Sequence, residues 1–209
     1  LEELVTHRTK ALNDSRLEIV RRLGRAAEYR DNETGSHILR MSKYSALLAK
    51  HLGWNPYECD LILNASPMHD IGKIGIPDAV LLKPGKLDEK EWEVMKTHVS
   101  IGADMLDGDN SDVLRMAREI ALGHHEKWDG SGYPNGLAGG DIPLAARIVA
   151  VADVFDALTS SRPYKKAWQL EDAIDFIKNN AGSHFDPTIV KLFEECLPDI
   201  LAISLEHNE

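Results

Sequence analysis

Cysteine is nearly absent. Two occur in 209 residues, Cys59 and Cys196, and neither lies in a Cys-x-x-Cys pattern. Thiolate zinc sites and a disulfide framework are therefore disfavoured. Positive charge is also in deficit: 24 Lys and Arg stand against 34 Asp and Glu, a formal net charge of -10 with a pI near 5.4. Non-specific binding to polymeric DNA or RNA depends on neutralising many phosphates, and this balance argues against it. It leaves room for a small anionic ligand held by metal ions and a few local cations. No apolar run approaches the ~20 residues of a membrane span. No signal-peptide pattern opens the chain, so the cytoplasm is the default location. Strand-period segments and internal repeats are missing as well. The length suits one domain of ordinary size with an extension. The first residue is Leu1 rather than Met, and the expectation is a fragment of something longer.

What remains reads as helix, and the fold class expected is all-α. Residues 1–30 carry Leu4, Ala11, Leu12, Ile19, Leu23 and Ala26 near helical spacing. Such a polar-rich helix links to another domain, pairs with a second copy of itself, or is a solvated edge. Residues 31–36 break it, and Ile38, Met41, Ser45, Leu48 and Leu52 mark a second helix stopped by Gly53. Asn55-Pro56-Tyr57-Glu58 is a start signal for a third helix, which carries Leu61 to His69, with Pro67 expected to bend or end it. Gly72 to Lys86 reads as a loop. Asp88 to Glu91 opens a helix with Trp92, Met95, Val99 and Leu106 inward, and another spans about 111–125. Five glycines crowd residues 127–142, a long loop of the kind that is often functional. Pro143 to Thr159 is apolar nearly all round and belongs at the centre of the fold. Two helices follow, about 170–180 and 187–197.

Chemistry concentrates on histidine and aspartate. His69-Asp70 offers a neutral imidazole and a carboxylate just after an apolar run, donors suited to iron, manganese or zinc. His124-His125 closes another helix, and neighbours about 100° apart can serve two different ions. His98 lies beside inward residues. Asp153 sits in the most apolar helix, where a carboxylate needs a cation or a hydrogen-bond network. Glu33 and His37 are four apart and share a side if the helix already runs through Gly35. Each has a plainer reading when taken singly. His98 is then a satisfied helix histidine, Asp153 a partner for Arg147, Glu33 a solvated acid and His124-His125 a polar helix end. Together, donors from separate helices beside apolar stripes point to a metal centre. His7, His51 and His207 read as surface, and His184 as structural near a helix start.

His69-Asp70-Ile71-Gly72-Lys73, followed by His124-His125-Glu126-Lys127-Trp128-Asp129-Gly130-Ser131-Gly132-Tyr133-Pro134, resembles the HD-GYP family of the HD phosphohydrolase superfamily. The likeness runs from about Arg22 to Pro198. It implies a helical bundle of the HD-domain type over 22–209, with a linker helix over 1–21 like that joining a receiver domain to the output domain of a response regulator. It implies a metal-dependent phosphodiesterase that opens cyclic di-GMP to the linear dinucleotide pGpG, with GMP as a further product in many members and hybrid cyclic GMP-AMP preferred by some. By position it assigns metal binding to His69, Asp70, His98, His124, His125 and Asp153, with Glu33 and His37 for a third ion. Two or three transition-metal ions are implied, iron first and manganese second. Lys73, Arg162 and Lys165 match phosphate-contacting cations, with Asp70 and Lys73 closest to the chemistry.

On this reading two metals share Asp70 and lower the pKa of water for attack on phosphorus. Tyr133 borders the substrate or serves as a packing anchor. The 127–142 loop is a candidate contact for a GGDEF-domain partner, and the N-terminal helix for a homodimer. The rival reading is a metal-loaded receptor that holds a cyclic dinucleotide with little turnover. A one-metal nucleotide phosphohydrolase is opposed by the second His pair, and a purely structural domain by the complete donor set.

Overall fold

The computed structural model describes residues 8, 15, 18–19, 22–24, 26, 30, 35–108, 111–161 and 166–207. Among them the chain is helical, with no strand and only two isolated bridges, Asp129 with Ala138 and Ala181 with Phe185. In chain order the helices are α1 (Gly35–His51), α2 (Pro56–Ala65), the single turn α3 (Asp78–Leu81), α4 (Glu89–Lys96), α5 (His98–Met105) and α6 (Asp112–Gly123). Then come α7 (Leu144–Thr159), α8 (Leu170–Asn179), α9 (Pro187–Glu195) and α10 (Leu197–Glu206). The described residues of the first segment from Arg8 to Ala26 are also helical, with Arg22 Nε on Glu18 Oε1 at 2.8 Å.

Local chemistry sets several ends. Asn55 caps α2 through the Glu58 amide at 3.0 Å, and Glu58 returns to the Asn55 amide at 2.8 Å. Asp88 and Glu91 repeat this reciprocal box on α4 at 2.9 and 2.8 Å. Each such cap contributes about 1 kcal/mol. Asp186 caps α9 through the Thr188 amide at 2.7 Å, with Pro187 in the first turn where its missing N–H costs nothing.

Helix α7 runs through the middle and buries residues on every side, from Ala145 to Leu158. Helices α1, α6, α8 and α9 pack against it, α2 lies on α1 and α6, and α10 closes over α1. Phe155 joins these layers, edge-on to Tyr44 of α1 at 5.9 Å and to Phe193 of α9 at 4.9 Å.

The structure revises four expectations. Helix α2 ends at Ala65, and a 3-10 turn over Ser66–Met68 takes Pro67, so His69 lies beyond the helix. Residues 71–81 are a 3-10 turn (Ile71–Gly75) and α3 rather than open loop. The helix from Glu89 breaks at Thr97, and the reorientation leaves Trp92 46% exposed rather than inward. A last helix, α10, follows where none is expected, with Pro198 in its first turn.

Candidate metal centre

The His69-Asp70 pair is placed by the turns on either side of it. His69 Nδ1 lies 3.0 Å from the Ser66 carbonyl, and the Asp70 carbonyl accepts the Lys73 amide at 3.0 Å. Gly72 brings this turn against α5. A Cβ there would lie 1.9 Å from the His98 carbonyl oxygen and 2.4 Å from the Gly102 nitrogen, so only glycine permits the approach. That approach puts His98 Nε2 3.1 Å from Asp70 Oδ1.

Two donor groups result. Asp70, His98, His124 and His125 form one, and His37, His69 and Asp153 the other, with the donor atoms of each group within 4.8 Å of one another. They meet at the dipeptide: His69 Nε2 is 3.2 Å from Asp70 Oδ2 and 3.9 Å from Asp153 Oδ1. His37 Nε2 is 3.4 Å from Asp153 Oδ1. His125 packs its ring against His124 at 4.0 Å and His98 at 5.2 Å.

A carbonyl oxygen cannot donate, so an imidazole nitrogen facing one carries the proton. His98 Nδ1 faces the Met95 carbonyl at 2.7 Å, and His124 Nδ1 faces those of Ile120 and Ala121 at 3.0 and 3.1 Å. Their Nε2 lone pairs are therefore aimed inward, at Asp70 Oδ1. These three atoms are buried without a hydrogen-bond donor, although the Nε2 atoms lie 3.1 and 3.5 Å from the carboxylate. Acceptor facing acceptor in a buried site is costly, and a cation between them removes the cost. The arrangement fits transition-metal ions bound through nitrogen and oxygen.

Electrostatics agree. Burial pushes the Asp70 carboxyl up, yet Lys73, with Nζ 2.8 Å from Oδ2, and His69 hold it well below the usual carboxylate range. Burial likewise opposes ionisation of Asp153, but His37, with Nε2 3.4 Å away, and His69 hold it low. His124 and His125 are pushed below the ordinary imidazole range, mainly by burial. Asp70 and Asp153 are thus held as carboxylates and His124 and His125 as neutral imidazoles, the protonation that metal binding requires.

Tyr133 lies over this group. Its ring stacks on His125 at 4.8 Å and 24°, meets Trp92 edge-on at 6.2 Å, and has Lys96 Nζ 5.9 Å from its centroid. Glu126 fixes the loop that carries it. Buried to 2% exposure, its two carboxylate oxygens accept the Asn135 amide at 2.7 Å and the Leu137 amide at 3.0 Å. Gly132 passes so close beneath that a Cβ would sit 2.3 Å from the Lys127 nitrogen.

His37, His69, Asp70, His98, His124, His125 and Asp153 are thus brought together, with Lys73 on Asp70 and Tyr133 on His125. Glu33, Arg162 and Lys165 lie outside the described residues. Arg147 takes another partner than Asp153, the Asp186 carboxylate at 2.7 Å. His207 is partly buried, its carbonyl accepting from Arg40 at 3.1 Å. His184 stacks on Phe185 at 4.2 Å. Three further residues around the site carry no expectation from sequence. Asp156 is buried beside His37, Glu126 anchors the loop, and Arg30 donates to the carbonyls of Lys73, Ile74 and Ile76. Asp156 has a signal, a second acid in the same apolar helix; Arg30 has none.

The HD domain family model matches residues 9–189. The chain belongs to the HD-domain family, in its HD-GYP branch. The HD-GYP domain is 49% identical over 190 residues to the cyclic di-GMP phosphodiesterase response regulator RpfG of Xanthomonas campestris, covering 91% of this chain and 50% of that protein. It is 46% identical over 192 residues to 3'3'-cGAMP-specific phosphodiesterase 2 of Vibrio cholerae, covering 92% and 37%. Among solved structures, a cyclic GMP-AMP-specific phosphodiesterase of Vibrio cholerae superposes with a TM-score of 0.68 at 20% identity, over 89% of this chain and 50% of that one. The chain spans half or less of the length of these relatives. Among the described residues, no helix is long and apolar enough to cross a membrane.

Proposed function

We propose that this HD-GYP domain is a metal-dependent phosphodiesterase that hydrolyses cyclic di-GMP to linear pGpG in bacterial second-messenger signalling. The observation that carries the reading is the meeting of two buried donor groups at His69-Asp70. One ion would be held by Asp70, His98, His124 and His125. Another would be held by His37, His69 and Asp153, and the family resemblance would add Glu33, with His37, for a third ion. Asp70 lies between the two groups and suits a shared carboxylate. The donors are all nitrogen and oxygen, which suits iron or manganese alike, and the family resemblance puts iron first. When bound, such ions supply Lewis acidity toward a phosphoryl oxygen and lower the pKa of water.

The chain's own residues then hold the anionic ring and balance charge. Lys73 Nζ, now on Asp70 Oδ2 at 2.8 Å, stands at the rim of the donor cluster and offsets charge growing on a phosphate oxygen. Arg162 can grip a phosphate through two donors and Lys165 acts as a point charge, which fits a compact dianion. The neutral imidazoles keep their lone pairs inward. Tyr133 shields the His125 side from water. The names of the relatives support cyclic di-GMP and 3'3'-cGAMP as the substrates to test first. The name of RpfG supports a response-regulator output domain; a cytoplasmic location, a GGDEF-domain contact through residues 127–142 and self-association through the N-terminal helix are readings from the sequence alone.

The test is anaerobic loading with Fe(II) or Mn(II), then chromatography of cyclic di-GMP and 3'3'-cGAMP digests. Linear dinucleotide should form, and Asp70→Ala should lose metal and turnover together. Glu33→Ala should lower metal content while the other sites stay filled. Tight binding of either dinucleotide by fully loaded protein without cleavage would replace the enzyme with a receptor.

A further inference from the structure

The centre is flanked by a second, fully buried acid. Helix α1 carries His37 and Arg40 three residues apart, and α7 carries Asp153 and Asp156 three residues apart. Residues so spaced share one helix face. Where α1 crosses α7 the four side chains form two rungs. On the first, His37 Nε2 faces Asp153 Oδ1 at 3.4 Å. On the second, His37 Nδ1 lies 2.7 Å from Asp156 Oδ2, and Arg40 grips both carboxylate oxygens, Nε to Oδ1 at 2.7 Å and Nη2 to Oδ2 at 2.8 Å. Ser160 Oγ donates to Oδ2 at 3.1 Å and accepts from Arg40 Nη2 at 2.7 Å. Asp156 is 0% exposed, Arg40 5% and His37 4%.

We propose that Asp156, locked by Arg40, is a positioning residue that fixes His37 in the tautomer and orientation needed to offer Nε2 to the ion shared with His69 and Asp153. It rests on the functional reading above for the identity of that ion, not for the orientation of His37. The chemistry is one of proton placement. An ionised carboxylate only accepts, so His37 Nδ1, 2.7 Å from Asp156, keeps its proton, and Nε2, at 3.4 Å from Asp153, is the nitrogen that can offer its lone pair to an ion between them. Arg40 supplies the balancing charge. Asp156 therefore stays an anion, and the buried pair leaves no net charge behind.

An isosteric amide separates this role from mere packing. In Asp156→Asn one end of the side chain becomes a donor. Turned toward His37, the NH2 group takes the Nδ1 lone pair and moves the ring proton to Nε2, where it blocks the ion. Turned the other way, it faces the Arg40 guanidinium, donor against donor. The volume hardly changes in either case.

The experiment uses 15N-histidine-labelled protein, first metal-free and then reconstituted with Fe(II) or Mn(II). His37 is assigned by loss of its signal in His37→Gln. Metal content is read by mass spectrometry. Expected in the wild type is an Nδ1–H His37. Expected in Asp156→Asn is a shift toward the Nε2–H form and the loss of one ion per chain, with the Asp70, His98, His124 and His125 group still loaded. Arg40→Lys, which keeps charge but cannot hold both oxygens, should release the same ion faster to a chelator. A wild-type His37 protonated on Nε2 alone, with a bare Nδ1 beside Asp156, overturns the proposal, even if Asp156→Asn fails to fold. Full metal content with an unchanged tautomer in both variants overturns it too. A wild type that takes up no metal refutes the functional reading instead, while the metal-free spectrum still decides the role of Asp156.

Discussion

Gly72→Ala tests how backbone packing sets the centre. The added Cβ would stand 1.9 Å from the His98 carbonyl oxygen and 2.4 Å from the Gly102 nitrogen, and both obstacles are backbone. Ordinary contact begins at 3.4 Å, so the 71–75 turn and α5 must part by about 1.5 Å. Overpacking of this kind costs about 1–3 kcal/mol. For a chain of this size that is a Tm loss of about 2–12 °C. The movement also carries His98 away from Asp70, now 3.1 Å apart between Nε2 and Oδ1. A displacement of ~1 Å in a reacting constellation costs on the order of 10²-fold in rate. The assay pairs calorimetry in chelator, which reads packing alone, with metal content and turnover after reconstitution. Expected are a lower Tm, a weaker hold on the ion at the His98 side, and the rate loss. Wild-type melting and wild-type metal content together would refute the packing argument.

Two further outcomes follow from other contacts. Glu126→Gln replaces one acceptor of the Asn135 and Leu137 amides by a donor, a loss of about 1.5–3 kcal/mol for a charged hydrogen bond. Hydrogen exchange should quicken across residues 130–138, and unchanged protection would show that Glu126 does not hold the loop. His184 is pushed down to about 4, chiefly by burial and then by Lys127, with Asp129 and Asp153 opposing. The unfolded chain binds its proton near the ordinary value of 6.5, so His184 draws stability away as pH falls from 6.5 to 4 and no further below. In chelator, the Tm of His184→Phe relative to the wild type should rise across that window, and parallel profiles would contradict this.

Much of the fold could be read locally, because capping is a local bargain. Asn55 with Glu58, and Asp88 with Glu91, show the same residues in the sequence and in the helix starts. The break at Thr97 was hidden, since the apolar spacing from Trp92 to Leu106 runs on as if one helix held it. Helix α10 was hidden by Pro198, which ends a helix in one context and opens one in another. At the site, His69, Asp70, His98, His124 and Asp153 stood out as polar groups beside apolar stripes, and His37 by its four-residue spacing from Glu33. Asp156 gave the same signal three residues after Asp153, but its meaning depends on Arg40, more than a hundred positions away. Arg30 reaches its carbonyl partners across the molecule, and no pattern in the sequence encodes a backbone acceptor.

The most direct measurement is anomalous scattering at the iron and manganese edges, on crystals of the reconstituted domain grown without chelator. The account predicts one peak among Asp70, His98, His124 and His125 and another among His37, His69 and Asp153. Reconstituted crystals with no peak between these side chains, or with metal bound only elsewhere, would contradict it.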